Sequence, residues 1–180
     1  MSKARFSQKV EEELNKQMTR EAEAAQFYLS IGSWAEVQGF NGVAAFLYNH
    51  ASEERLHMMK FIEFINQRGG HCKIAALAAP PADPKTLEEL FDRVIEQEIS
   101  NSTSINDLVD ICLQEKDHST NNFLLWFVQE QLEEEALASK LVDQMKLIGE
   151  DAGNRGGLYE FDRNIQSLHD AQISGSSEAS

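Results

Sequence analysis

The sequence has few cysteines, and they are not arranged as a metal or redox site. Cys72 and Cys112 are the only cysteines in 180 residues, and no CxxC motif occurs. This excludes a thiolate metal site built on CxxC pairs and gives no sign of a disulfide framework. We therefore expect a reducing compartment and a cytoplasmic location.

Long apolar runs and positive charge are also scarce. No run of about 20 apolar residues occurs, and the N-terminal MSKARFSQKVEEELNK turns polar where a signal peptide needs an apolar stretch. Lys and Arg total 16 against 30 Asp and Glu, a formal net charge of −14. We expect a soluble, unexported protein that binds neither nucleic acid nor membranes and favours cationic partners, metal ions among them.

Proline is confined to one short region. Pro80, Pro81 and Pro84 are the only prolines, and they separate two long regions with helical periodicity. The segment 71–85 is too long for a tight turn but long enough to cross the length of a helical bundle. No linker-like composition divides the rest, so we predict one domain over 1–170 and a flexible tail over 171–180.

Apolar residues recur at steps of three, four or seven in four long segments and one short one. The predicted helices are about 7–38, the segment after GFNG up to Gly69-Gly70, the segment after a Thr86/Glu89 capping box, the segment after QEKDHST up to about Gly149, and Leu158–Leu168. The predicted fold is all-α: a four-helix bundle with one long crossover between the second and third helices, plus a short fifth helix.

Each long helix also places a carboxylate where its core-facing stripe calls for an apolar residue. Glu54, for example, lies seven residues after Leu47 and seven before Phe61, and His57 follows it one turn later. The four carboxylates are Glu21, Glu54, Glu98 and Glu134. Taken singly, such a residue is more often at the boundary of a core, with its head in solvent. Four coincident cases favour a shared buried site.

Buried carboxylates need compensation. A lone buried carboxylate costs several kcal/mol or is neutralised by a pKa shift, and the stripes place no Lys or Arg near these levels. A pair of divalent metal ions would compensate all four. Glutamate and histidine ligands suit iron, manganese or zinc, and this oxygen-rich set suits iron most among them.

Three stretches together resemble the non-heme bacterial ferritins over roughly residues 5–170. They are REAEAAQFY around Glu21, NHASEERLHM around Glu54 and NFLLWFVQEQLEEE on the fourth helix. The resemblance implies a homo-oligomeric cage of twenty-four subunits that oxidises ferrous iron with O2 at a di-iron site and stores ferric mineral. The chain departs from the doubly Glu-x-x-His pattern of ferritin-like di-iron proteins, because the fourth helix carries Gln131-x-x-Glu134 instead.

The resemblance also assigns residues. It implies that Glu21, Glu54 and His57 hold one iron, that Glu54, Glu98 and Glu134 hold the second, and that Gln131 lies beside them. Tyr28 and Trp126 match aromatic neighbours of this site, although core packing explains both equally well. Glu53, Glu130 and Glu133 match a third iron site, for which a solvated acidic face is the competing interpretation.

Other di-iron classes are less well supported. Arg55 stands where bacterioferritins place a heme-ligating Met, so we predict no heme, and the absence of CxxC pairs argues against rubrerythrin. Two alternatives stay open. One is a di-iron or di-manganese oxidase or peroxidase with a permanent metal cofactor. The other is a structural acidic helical assembly that binds no iron.

Overall fold

The protein is built from helices packed side by side. The computed structural model describes residues 4–149 and 155–176, and for 166–176 it describes the backbone alone. The helices are α1 (Gln8–Val37), α2 (Asn41–Gln67), α3 (Leu87–Gln114), α4 (His118–Gly149) and α5 (Arg155–Ser176). No strand occurs in these ranges, and the all-α prediction is confirmed. None of the described helices is both long enough and apolar enough to cross a membrane.

Polar side chains cap the first turns of α1 and α3. Ser7 Oγ accepts a hydrogen bond from Val10 N at 3.3 Å, and Thr86 Oγ1 accepts one from Glu89 N at 3.1 Å. The predicted capping box at α3 is only half formed, because the Glu89 carboxylate accepts from Lys85 N at 2.9 Å rather than from Thr86 N. Both caps satisfy backbone N–H groups that the helix itself leaves free.

The four long helices form two hairpins, α1–α2 and α3–α4, and α1 also packs against α3. Between the hairpins the predicted crossover runs along α1. Lys73 N donates to Asn15 Oδ1 at 2.6 Å, and Ala78 N donates to Glu23 Oε1 at 3.2 Å. The chain therefore returns to the end of the bundle from which α2 started, as the long proline-containing segment predicts.

The short predicted helix is longer than expected and docks on the start of α2. α2 has no side-chain cap of its own, and Asp162 Oδ1 of α5 accepts from Val43 N at 2.9 Å instead. Gly42 allows this approach, since a Cβ there would lie 1.7 Å from the Asp162 carbonyl oxygen.

The predicted end of this helix at Leu168 differs from the structure. The backbone stays helical through Ser176, because no proline interrupts it. Residues 177–180 of the predicted tail lie outside the described residues.

The apolar core is divided in two by a polar layer. One buried cluster includes Ile31, Leu47, Leu90 and Leu141, and the other includes Leu14, Phe61, Ile105 and Phe127. Along every long helix, buried polar side chains separate the two clusters: Glu21 on α1, Glu54 and His57 on α2, Glu98 and Asn101 on α3, and Gln131 on α4. This layer contains the candidate site.

Candidate metal centre

The α1–α2 hairpin supplies one compact group of possible metal ligands. Glu21, Glu54 and His57 are buried, and one ligand atom from each lies within 4.8 Å of the others. His57 Nδ1 is 3.3 Å from Glu54 Oε2 and 3.9 Å from Glu21 Oε2. Glu54 and His57 meet because they are one helical turn apart. The structure thus brings together the three residues predicted to hold the first iron.

The α3–α4 hairpin supplies the residues predicted for the second iron. Glu98 is buried and accepts hydrogen bonds on both oxygens, from Tyr28 Oη on Oε1 and from Gln131 Nε2 on Oε2, the latter at 3.1 Å. Glu134 has a side chain only 13% exposed. The charges of Glu98 and Glu134 both act on Glu54, so the three carboxylates face a common interior.

Burial dominates the electrostatics of this layer. It raises the pKa of Glu21, Glu54 and Glu134 well above the usual range, and it raises the pKa of Glu98. Mutual repulsion adds to the effect, from Glu54 on Glu21 and from Glu98 on both Glu54 and Glu134. No Lys or Arg among the described residues is buried. The layer is therefore an anionic interior that binding of cations would stabilise.

A second group of possible ligands adds a residue that the sequence analysis did not select. His50 Nδ1 lies 3.4 Å from Glu53 Oε2 and 3.5 Å from Glu134 Oε2, and the His50 ring stacks on Tyr28 with centroids 5.3 Å apart. Its position in the sequence could have indicated His50 as a candidate ligand, since it lies on the same stripe as His57, seven residues earlier.

The residues predicted for a third iron site lie beside this group. Glu53, Glu130 and Glu133 are half-buried, and their charges raise the pKa of Glu134 further. Glu53 belongs to the group formed with His50 and Glu134, whereas Glu130 and Glu133 do not. A third iron site at these three residues stays a prediction.

Trp126 lies at the edge of the site. Its ring meets the His57 ring edge-on with centroids 5.4 Å apart, and Lys60 Nζ lies 3.7 Å from the centre of a Trp126 ring. The residue is 38% exposed. Trp126 is thus a partly exposed neighbour of a candidate ligand rather than a fully buried core side chain.

Two further polar residues of the layer were missed by the sequence analysis. Gln17 and Asn101 are buried and hydrogen-bond to each other and to Glu21. Both lie within one turn of a predicted ligand, Gln17 four residues before Glu21 and Asn101 three after Glu98. Their spacing alone does not distinguish them from boundary residues.

Comparisons with known proteins agree with this geometry. The family model described as a ferritin-like domain matches residues 11–148. A bacterial non-heme ferritin of Campylobacter jejuni is 43% identical over 163 residues, covering 91% of this chain and 96% of that protein. A bacterial non-heme ferritin of Escherichia coli O157:H7 is 34% identical over 157 residues, covering 87% and 93%.

Solved structures similar to this chain are also ferritins. An Archaeoglobus fulgidus ferritin engineered into a closed form superposes with a TM-score of 0.85 at 38% identity, covering 89% of this chain and 96% of that one. A Chlorobium tepidum ferritin superposes with a TM-score of 0.79 at 37% identity, covering 89% and 97%. The predicted family, the four-helix bundle and the iron-storage role that goes with them are confirmed, and the chain belongs to the ferritin family.

Proposed function

We propose that this chain oxidises ferrous iron with O2 at a di-iron centre formed by Glu21, Glu54, His57, Glu98 and Glu134, and that iron is its substrate rather than a resident cofactor. The carrying observation is the layer of buried carboxylates with no buried Lys or Arg in the described part of the chain. Two divalent ions would balance four ionised glutamates.

The surroundings of Glu54 support a bridging role for it. Its carboxylate groups with Glu21 and His57, and the charges of Glu98 and Glu134 also act on it. Two-metal sites hold their ions about 3.5–4 Å apart, a separation that one carboxylate can span. Two ferrous ions held this way can each give one electron to a shared O2, which is reduced to the peroxide level.

The missing second histidine supports iron as substrate. The fourth helix offers Gln131 and Glu134 where a second Glu-x-x-His would stand, and Gln131 Oε1 accepts from Asn101 Nδ2 at 3.3 Å. The fourth helix would thus supply Glu134 but no imidazole to the second ion. Such a site suits iron that binds, is oxidised and leaves for storage inside a cage of twenty-four cytoplasmic subunits.

The test is anaerobic ferrous titration followed by air, with repeated additions. We expect fast oxidation of about two ferrous ions per chain, as expected of a two-metal site, and continued uptake beyond that in particles with the mass of twenty-four chains. Glu54→Ala should lose the fast phase, whereas Glu63→Ala, an exposed site on the same helix, should keep it.

Two outcomes would count against the proposal. A folded Glu54→Ala variant with a near wild-type rate would remove the bridging assignment. Uptake that stops at two ions, which stay bound after gel filtration against a chelator, would indicate a permanent metal cofactor instead.

A further inference from the structure

Three amide side chains occupy the polar layer between α1, α3 and α4, next to the proposed di-iron centre. Gln17, Asn101 and Gln131 are 1%, 4% and 3% exposed. A buried amide without hydrogen-bond partners costs free energy, so each must be satisfied inside the bundle. Their partners include two of the proposed iron ligands, the carboxylates of Glu21 and Glu98.

The orientation of Gln17 is fixed from both sides. Its Oε1 accepts a hydrogen bond from Ser104 Oγ at 2.6 Å, which turns the amide nitrogen the other way. Gln17 Nε2 then donates to Glu21 Oε1 at 2.7 Å and to Asn101 Oδ1 at 2.7 Å. Gln17 therefore presents N–H, and not its carbonyl oxygen, to a proposed ligand of the first iron.

Asn101 orients the Gln131 amide in the same way. Its Nδ2 donates to Gln131 Oε1 at 3.3 Å and lies 3.5 Å from Glu21 Oε2. Since the Gln131 oxygen is occupied, its Nε2 faces Glu98 and donates to Glu98 Oε2 at 3.1 Å and to the Glu98 carbonyl oxygen at 3.2 Å. Gln131 therefore also presents N–H to a proposed ligand, in this case of the second iron.

We propose that Asn101 is a positioning residue, which orients Gln17 and Gln131 so that both amides hold the terminal carboxylates Glu21 and Glu98 in place for the two irons. This inference rests on the proposed function. Asn101 suits the role because it accepts from one glutamine and donates to the other. Without it, the Gln131 oxygen loses its donor and can turn toward Glu98, which is repulsive. Gln17 keeps its bond from Ser104 but loses one of the two acceptors of its nitrogen.

The inference also gives Gln131 a definite role. Its carbonyl oxygen is its one metal-ligating atom, and Asn101 Nδ2 donates to that atom at 3.3 Å. Gln131 then acts on the second iron through Glu98, whose carboxylate accepts from its amide nitrogen. Partners that orient metal ligands in this way typically change metal affinity by about 10–100-fold when they are removed.

The experiment titrates the assembled, metal-free protein with Co²⁺ under anaerobic conditions and follows calorimetry and the visible Co²⁺ spectrum. Asn101→Leu keeps the branched skeleton and the number of side-chain heavy atoms but removes both hydrogen-bonding groups. We expect about 10–100-fold weaker binding at both positions and a changed spectrum. Gln17 binds only one of the ligand carboxylates, Glu21. Gln17→Leu should therefore weaken Co²⁺ binding mainly at the first position. Thr103→Ala, exposed on the same turn of α3, should bind as wild type.

A merely structural role for Asn101 predicts a different pattern. In that case Asn101→Leu lowers the unfolding temperature in chelator, while Co²⁺ affinity and spectrum stay as in wild type wherever the protein is folded. Unchanged or tighter Co²⁺ binding in folded Asn101→Leu overturns the inference. If that variant does not fold, Asn101→Ser, whose single hydroxyl cannot replace both amide contacts, is held to the same criterion. Failure of wild type to bind two Co²⁺ per chain would instead contradict the proposed function.

Discussion

Replacing Glu54 with glutamine should stabilise the metal-free protein while weakening its hold on metal. Burial, and then the charge of Glu98, raise the pKa of Glu54 well above its usual range, so its ionised form is unfavourable in the empty site. A glutamine of the same size carries no charge. Its amide can donate toward Glu21 and its carbonyl oxygen can face His57, so Glu54→Gln keeps the local packing.

The size of the effect follows from the spacing of the ligands. Ligand atoms of Glu21 and Glu54 lie within 4.8 Å, where two unit charges repel by about 3 kcal/mol at an effective dielectric constant of about 20. The hydrogen bond from Glu21, which lowers the pKa of Glu54, offsets part of this repulsion. Partial protonation reduces this, so we expect a gain of about 1–3 kcal/mol in the free energy of unfolding. For a chain of this size that corresponds to about 3–10 °C in unfolding temperature.

The gain has a definite pH dependence. The unfolded carboxyl titrates near 4.5 and the folded one at a higher pH, so between the two values the folded state binds more protons. Wild-type stability therefore falls as pH rises from about 4.5 toward the folded pKa. Glutamine does not titrate. The advantage of Glu54→Gln should be small near about pH 5 and larger near about pH 8.

The assay is thermal unfolding in chelator and in Zn²⁺ at both pH values, with exposed Glu63→Gln as the matched control. Zn²⁺ should raise the unfolding temperature of wild type more than that of Glu54→Gln, since metal compensates a charge that the variant lacks. An equal or lower unfolding temperature for metal-free Glu54→Gln near pH 8, or a gain that does not grow with pH, would refute the reasoning.

Three other substitutions test separate parts of the molecule. Gly42→Ala places a Cβ 1.7 Å from the Asp162 carbonyl oxygen, so α5 must shift. Sedimentation of this variant should show less complete assembly. An unchanged particle would mean that docking of α5 on α2 is dispensable for assembly. Gln131→Glu should retain more iron per chain after chelator treatment and slow later rounds of oxidation, because it adds a negative charge and a carboxylate oxygen beside the proposed second iron. Equal retention would contradict this. Thr86→Ala removes the bond to Glu89 N and should cost about 0.5–2 kcal/mol in chemical unfolding without changing the oxidation rate.

The helices could be predicted from sequence because their apolar stripes are long and regular. The first was predicted at about 7–38 and spans Gln8–Val37. The end of α5 could not be predicted, since the polar composition after Leu168 resembles a tail. Only the backbone of the structure shows that the helix continues to Ser176. The Asp162 cap on α2 could not be predicted from the sequence either, because it depends on how two distant segments pack.

The candidate ligands could also be predicted from the stripes, but only as far as which side chains face the core. A stripe shows which side chains face the core, so Glu21, Glu54 and His57 could be expected to point inward. Their meeting was predicted from the need of several buried carboxylates for shared cations and from the resemblance to ferritins. A stripe does not show which side chains of different helices lie at the same height. Asn101 and Gln17 meet only because α1 and α3 pack in one particular register, and no spacing within either helix contains that information.

The polar layer raises the question of what holds the two hairpins together across it. Glu54 belongs to one hairpin, and Glu98 and Glu134 to the other, so in the metal-free protein their repulsion acts directly across the interface. The apolar clusters on either side oppose it, with contacts such as Phe61 against Phe127 at a centroid distance of 4.3 Å. Each fully buried aliphatic or aromatic side chain contributes about 1.5–3 kcal/mol, so a few contacts on each side exceed a repulsion of a few kcal/mol. The bundle can therefore keep an anionic layer in its interior before any iron binds.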